Sequence, residues 1–312
     1  MHRLKKPVLE TETHINPTLH SDPEEVKKAG IREYIQLSKF RLTILVVITA
    51  VLGYILGVVK VESAAFNLAS LLGLIIGGYF LTASSNAINQ ILEKDSDKLM
   101  SRTQGRPLVT GKMDVTEAIL FAALSGLVSI LVLGASMNAT TAFLGLASLI
   151  IYAFLYTPLK KISSISVFVG AFPGAVPPML GYVGATGQMS FEAVVLFCVQ
   201  FFWQFPHFWS LAWVLHDDYL KAGYFMLPSG GGKNKRSAFQ IVWYSLIMTL
   251  VSTMPFYLGF SGVPYLVVAL VLGIIMIWFA LQLFKTLQDK DAKKLMFASF
   301  VYIPILLIFM LF

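Results

Sequence analysis

From about residue 42 onward the chain alternates between long charge-free apolar runs and short polar connections. Crossing a bilayer as a helix takes roughly 20 apolar residues, because only a helix or a closed barrel satisfies its own backbone in hydrocarbon. On that count the pattern predicts nine spans, at about 42–59, 65–84, 117–136, 139–157, 165–185, 193–214, 238–259, 263–284 and 295–312. The stretches 118–159 and 237–284 are each long enough for two spans, and turn-like breaks near Gly134 to Asn138 and Gly259 to Pro264 divide them. Residues 63–92 carry no charge, so the second span is expected to continue as helix beyond the membrane interface.

Composition agrees with that pattern. Only 13% of the 312 residues are charged and 56% are hydrophobic, which excludes a water-soluble domain of this size. The fold class is all-α, a polytopic bundle of nine transmembrane helices. Residues 1–33 are polar, hold six acidic residues and lack an apolar core, so they read as a disordered tail, neither secretory signal nor transit peptide. The spanning domain is set at 34–312.

Charge fixes the expected orientation. Counted on alternate sides, Lys and Arg number eight before span one, then five, two, four and four, while the opposite side holds only Lys60. The positive-inside rule puts the N-terminus in the cytoplasm and, with nine spans, the C-terminus outside. A single missed span would switch the later loops and destroy the asymmetry. The expected location is a cytoplasmic membrane with the candidate site facing the cytoplasm. The net charge of +7 sits in short flanking loops without interleaved aromatics, so nucleic-acid binding is not expected. The single cysteine, Cys198, lies in an apolar run and offers neither a disulfide nor a metal site.

Two acidic segments fall on the basic side. The first runs Asn89-Gln-Ile-Leu-Glu93-Lys-Asp95-Ser-Asp97. On a helix, Asn89, Glu93 and Asp97 are i, i+4 neighbours about 6 Å apart along the axis, while Asp95 points elsewhere. A row of carboxylate and amide oxygens suits Mg²⁺, which shares its coordination with waters and substrate phosphates; the plain alternative is a solvated helix end. Arg102 and Arg106 follow, and guanidinium forks match phosphate oxygens, although alone they serve equally as topology anchors. The second segment, His216-Asp217-Asp218-Tyr219, closes the sixth span, and Asp217 and Asp218 are candidates for a second Mg²⁺. Ser229-Gly-Gly-Gly-Lys233 reads as a flexible basic loop rather than a nucleotide-binding loop, since no strand precedes it. His207 is read either as an interfacial histidine beside a proline kink or as a substrate contact. Pro173, Pro177, Pro178 and Pro206 are expected to kink spans five and six and open space between helices.

These segments carry a resemblance. Asn89-x-x-x-Glu93-x-x-x-Asp97-x-x-Met100-x-Arg102-Thr103-x-x-Arg106-Pro107-Leu108 resembles the acidic motif of the UbiA-type intramembrane prenyltransferases, in particular their protohaem IX farnesyltransferase branch. Leu37-Ser-Lys39-Phe-Arg41, Tyr156-Thr157-Pro158-Leu159-Lys160-Lys161 with Gly174 to Gly181, and Trp203-Gln-Phe-Pro206-His207-Phe with Asp218-Tyr219 are similar to that branch's first-span entry, its connection between spans four and five, and its second motif, over roughly 34–312. Two departures stand out: Glu93 replaces the superfamily's usual Asp, and four residues after Asp217 and Asp218 stand Lys221 and Ala222 where a second Asp pair member is usual.

The resemblance implies a Mg²⁺-dependent transfer of the farnesyl group of farnesyl diphosphate to a vinyl group of haem b. Metal ligands would be Asn89, Glu93, Asp97, Asp217 and Asp218; diphosphate contacts Arg41, Arg102, Arg106, Lys160, Lys161 and Lys221; haem contacts His207 and Tyr156. The lipid bilayer is the medium, and a haem A synthase is the candidate downstream partner. Two other readings remain open: a prenyltransferase of the same superfamily acting on an aromatic quinone precursor, and an anion transporter. Against the transporter, no carboxylate interrupts a span and no duplicated half is visible.

Overall fold

The computed structural model describes residues 29–312. The expectation for the polar tail therefore lies, for residues 1–28, outside the described residues. The rest of that segment corrects its boundary. Helix α1 (Ile31–Leu37) begins before residue 34, with Gly30 donating its N–H to Glu33 Oε2 at 3.1 Å. Its apolar face docks: Leu37 is fully buried and Tyr34 packs on Phe121 at 5.4 Å between ring centroids. A short amphipathic turn buries one face at the bundle surface, where the single-residue count of polar types had shown only a tail.

Among the described residues nine helices are long and apolar enough to cross a membrane. They are α2 (Phe40–Lys60), α3 (Leu68–Leu92), α5 (Val115–Ser136), α6 (Ala139–Leu159), α7 (Ser166–Thr186), α8 (Phe191–Val214), α10 (Lys235–Tyr257), α11 (Val263–Thr286) and α12 (Asp289–Phe309). Short helices α4 (Lys94–Asp97) and α9 (His216–Lys221) follow α3 and α8, and a single turn, Pro228–Gly231, precedes α10. The predicted breaks are true helix ends. Asn138 caps α6 by accepting the Thr141 N–H at 2.8 Å, and Gly259, at φ 72°, turns the chain between α10 and α11. Helix α12 starts six residues earlier than its apolar run because Asp289 and Asp291 favour a first helical turn, and Thr286 Oγ1 donates to Asp291 Oδ2 at 2.7 Å.

Two features position the site. Helices α2 and α7 cross in backbone contact: a Cβ on Gly53 would lie 2.0 Å from the Pro178 carbonyl oxygen, and one on Gly181 would lie 1.8 Å from that of Ala50. Only glycine permits so close a crossing. The second feature is a π-helical turn, Ile151–Tyr156, near the end of α6. Pro158 has no N–H to donate to residue 154, and the ladder widens just ahead of it. As a result the Thr157 N–H and Oγ1 both reach the Tyr152 carbonyl, the hydroxyl at 2.9 Å. This rotation turns Thr157 and Lys160 toward α3.

Candidate active site

At the end of the bundle where α3 finishes, the chain gathers charges that lie far apart in sequence. Helix α3 ends at Leu92, but the Asp97 N–H bonds the Glu93 carbonyl at 2.8 Å, so α4 continues the same helical path. Asn89, Glu93 and Asp97 accordingly share one face, and all three are at most 5% exposed. Asp95 faces solvent and pairs with Lys98 at 2.8 Å. The predicted row is present; its setting is buried rather than at the water boundary.

Each member of the row meets a cation. Lys39 Nζ donates to Asn89 Oδ1 at 2.9 Å, Lys160 Nζ to Glu93 Oε1 at 2.6 Å, and Arg106 pairs with Asp97 Oδ2. Asn89 Nδ2 donates to Thr157 Oγ1 at 3.3 Å, and Thr103 Oγ1 donates to the Asp97 carbonyl at 2.9 Å. Lys160 also lies over the Tyr156 ring at 4.4 Å and faces Tyr224 at 5.8 Å, contacts in which π faces attract the ammonium. Glu93 works against burial, which would raise its pKa; the Lys160 and Lys39 ammoniums prevail and hold it below its ordinary value. The same pairing keeps Lys160 protonated despite its burial. For Asp97 burial prevails over Arg106 and the pKa rises. Burial, and then the neighbouring Arg106, lower Lys39 to about 7.

The donors are all oxygens, which suits a hard divalent cation. One of them, Asp97 Oδ1, is buried without a hydrogen-bond partner, and such an atom calls for a ligand or ion. Among the described residues no three His, Cys, Asp or Glu side chains form a metal-binding group, so a third protein donor in this row is the Asn89 amide. Asn89, Glu93 and Asp97 thus fit a Mg²⁺ that completes its shell with water or phosphate oxygens.

Below the row, toward the bundle interior, a cavity opens between α2, α3, α6, α7 and α8. Its walls are mainly apolar, with Val47, Leu81 and Leu180 among them, and Asn86 and Tyr156 also line it. The arrangement can hold a charged head against the row and an apolar tail in the cavity.

The second acidic segment is placed differently from its expectation. Asp218 accepts the backbone N–H groups of Ser101 and Arg102 at 3.2 and 3.3 Å, accepts Ser101 Oγ at 3.0 Å, and pairs with Lys221 at 3.1 Å. Partial burial would raise its pKa, but these donors lower it to about 2. Asp217 is exposed. The two segments do meet, yet Asp218 spends its oxygens clamping the loop after α4. A second metal on Asp217 and Asp218 does not follow from this geometry.

Three more expectations change. Arg41 and Lys161 are exposed, and the bonds to the row come instead from Lys39 and Lys160. Arg102 is exposed and lies 6.0 Å from the Tyr219 ring centroid. His207 is buried against α12, its Nδ1 2.8 Å from Ser299 Oγ and its ring stacked on Trp203 at 4.5 Å. It packs between helices and is not among the residues lining the cavity. Lys39, Thr157 and Tyr224 are the residues at the row that sequence reasoning missed. The signal for Lys39 was its place two residues before Arg41 at the start of the first span.

A nine-span helical bundle with an ion-paired carboxylate row above an apolar cavity defines an intramembrane protein that handles an anionic head and an apolar tail together. The chain belongs to the UbiA prenyltransferase family, whose model matches residues 43–302. It is 44% identical over 272 residues to a protoheme IX farnesyltransferase of Cytophaga hutchinsonii, covering 87% of this chain and 94% of that one. To the protoheme IX farnesyltransferase of Flavobacterium johnsoniae it is 42% identical, covering 89% and 93%. In fold it matches a structure described for digeranylgeranylglyceryl phosphate synthase with a TM-score of 0.75 at 20% identity, over 90% of this chain and 96% of that one. It also matches a UbiA homologue from Archaeoglobus fulgidus bound to GPP and Mg²⁺, with a TM-score of 0.61 at 17% identity, over 87% and 99%.

Proposed function

We propose that this protein transfers the farnesyl group of farnesyl diphosphate to a vinyl group of haem b, yielding haem O, with Mg²⁺ bound at Asn89, Glu93 and Asp97. The observation that carries the reading is the buried row beside Lys39, Lys160 and Arg106, set directly over an apolar cavity. The identity of the acceptor is taken from the relatives, named as protoheme IX farnesyltransferases at 42–44% identity across nearly their full lengths.

The bound metal would supply charge neutralisation of the leaving diphosphate. The residues of this chain do the rest. Lys160 and Arg106 offer fixed positive charge where the diphosphate gains negative charge, with Lys39 beside them as a further donor, in a setting where fixed donors need no reorganisation as the bond breaks. Asp218 holds the backbone at Ser101 and Arg102, in the loop that leads on to Arg106, the partner of Asp97. The apolar walls of the cavity hold the prenyl chain, and the Tyr152 and Tyr156 rings that line it would attract a developing cation.

In the reaction the C1–O bond of farnesyl diphosphate breaks and its electron pair leaves with the diphosphate. The terminal vinyl carbon of haem b donates its π electrons to C1, which places the cation on the vinyl carbon next to the porphyrin. Water adds there and releases a proton. The products are hydroxyethylfarnesyl haem, diphosphate and a proton. We assign the row to the cytoplasmic face of a cell membrane from the charge count of the loops. A haem A synthase would take up the product.

The test is direct. Purified protein given farnesyl diphosphate, haem b and Mg²⁺ should form a heavier, more apolar haem, and EDTA should abolish its formation. Conversion of 4-hydroxybenzoate with no change to haem would overturn the acceptor.

A further inference from the structure

Helix α3 has three neighbouring buried glycines, Gly73, Gly77 and Gly78, and they are not alike. A Cβ on Gly73 would lie 1.9 Å from Ser136 Oγ, and one on Gly77 would lie 2.7 Å from the Leu133 side chain. Both glycines let α3 pack on α5. A Cβ on Gly78 would meet nothing nearer than Val47 Cγ2 at 3.7 Å, an ordinary contact. Gly78 has ordinary helical backbone, with no positive φ. A glycine inside a helix costs about 1 kcal/mol relative to alanine. Neither packing nor backbone conformation requires it here. What it does is leave space, for Gly78 lines the cavity.

Its depth gives that space a meaning. Gly78 lies eleven residues before Asn89, about 16 Å along the helix axis at 1.5 Å per residue. It is the outermost residue of α3 on the cavity wall, as Ala50 is for α2 and Leu180 for α7. Just beyond them α2 and α7 meet through Gly53 and Gly181 with no room between their backbones, which closes the floor. Twelve main-chain carbons in extended form span about 14 Å, at bond lengths near 1.5 Å foreshortened by the zigzag. A fifteen-carbon prenyl chain with its diphosphate at the row therefore ends beside Gly78.

We infer that Gly78 is a specificity-determining residue: its missing side chain is the space that receives the last isoprene unit of a fifteen-carbon chain. The inference rests on the prenyl diphosphate reading of the row. A side chain at 78 would fill the end of the cavity and leave the head untouched, some three helical turns away. It would select against the fifteen-carbon donor and spare the ten-carbon one.

The experiment compares wild type with Gly78→Ala, Gly78→Val and Gly78→Leu, assaying prenylated haem with geranyl, farnesyl and geranylgeranyl diphosphate as separate donors. Kcat/KM for farnesyl relative to geranyl should fall at least three-fold in the alanine variant and on the order of 100-fold in the leucine variant, since single-methylene misfits discriminate by 10–200-fold. Inhibition by inorganic diphosphate should stay as in wild type in every variant that elutes as a single species. Should the larger variants fail to fold, the alanine ratio decides. A farnesyl-to-geranyl ratio within two-fold of wild type in all folded variants would overturn the inference while leaving the farnesyl reading intact. No prenylated haem from wild type with any donor would remove that reading, and this inference with it.

Discussion

The two acidic segments lie at the same end of the bundle and touch, yet they are physically opposite. In the first, Asn89, Glu93 and Asp97 are buried, and each meets a basic residue from elsewhere in the chain. In the second, Asp217 is open to solvent and Asp218 is bound to backbone N–H groups of a neighbouring loop. Charges about 4 Å apart interact by about 4 kcal/mol at an effective dielectric near 20 and by about 1 kcal/mol in water. Identical carboxylates therefore do different work. The buried row organises charge for a ligand, whereas Asp218 organises the loop that leads to Arg106. Membership of an acidic cluster is a weaker guide to chemistry than the partner and burial of each oxygen.

The largest effect should come from the row. Glu93→Gln and Asp97→Asn keep shape and remove charge, and each should lower haem O formation on the order of 100- to 1000-fold, the scale of losing one preorganised electrostatic group. Near-normal rates in both would show that the row does not hold the metal. Alanine is the poorer probe here. Glu93→Ala strands the Lys160 ammonium, and breaking a buried pair costs about 3–5 kcal/mol, so its thermal midpoint should drop along with its activity. Next in size is Lys39→Met. With Lys39 gone, Asn89 Oδ1 loses its donor, and turnover should fall by about 10- to 100-fold, the range seen when a residue orienting a metal ligand is lost. A rate within two-fold of wild type would remove Lys39 from the site.

Lys39 also shows where sequence reading reaches its limit. The nine spans were readable because charge-free runs of helical length can be counted and the basic loops fix their parity. The row was readable because i, i+4 spacing is a property of one helix. The choice between Lys39 and Arg41 depends on the rotation with which α2 starts, and that start is set by Lys39 itself in the left-handed region at φ 49°. No periodicity encodes it. His207 stayed open between its two readings for a related reason: it shares one polar stripe of α8 with Gln200 and Gln204, and only the packing shows that Gln204 lines the cavity while His207 turns to Ser299 on α12. The clamp by Asp218 joins residues more than a hundred apart in sequence, and the pairing of Lys160 with Glu93 depends on the π turn. Only the fold supplies such contacts.

The second segment predicts a smaller and different change. Asp218→Ala frees the Ser101 and Arg102 amides and loosens the loop without removing any group from the row. The KM for farnesyl diphosphate should rise about ten-fold with kcat held within about three-fold, the pattern of lost ground-state binding. A kcat loss as large as that of Asp97→Asn would instead return Asp218 to the metal site and erase the contrast between the two segments.

The smallest effects belong to the exposed members of each segment. Asp95→Ala removes a solvent-facing i, i+3 pair with Lys98, and Asp217→Ala removes an exposed carboxylate. Exposed pairs contribute little, so each variant should keep activity and thermal midpoint within about two-fold and about 2 °C of wild type. Asp95 stands between Glu93 and Asp97 in sequence, which makes it the sharper of the two controls. The helical path through Glu93 sends alternate carboxylates in opposite directions, and only a helix that unwound at residue 93 would bring Asp95 inward. A loss of turnover in Asp95→Ala comparable to that in Glu93→Gln would therefore mean that α4 rearranges when the diphosphate binds, and that the burial pattern separating the two segments belongs to the ligand-free protein alone.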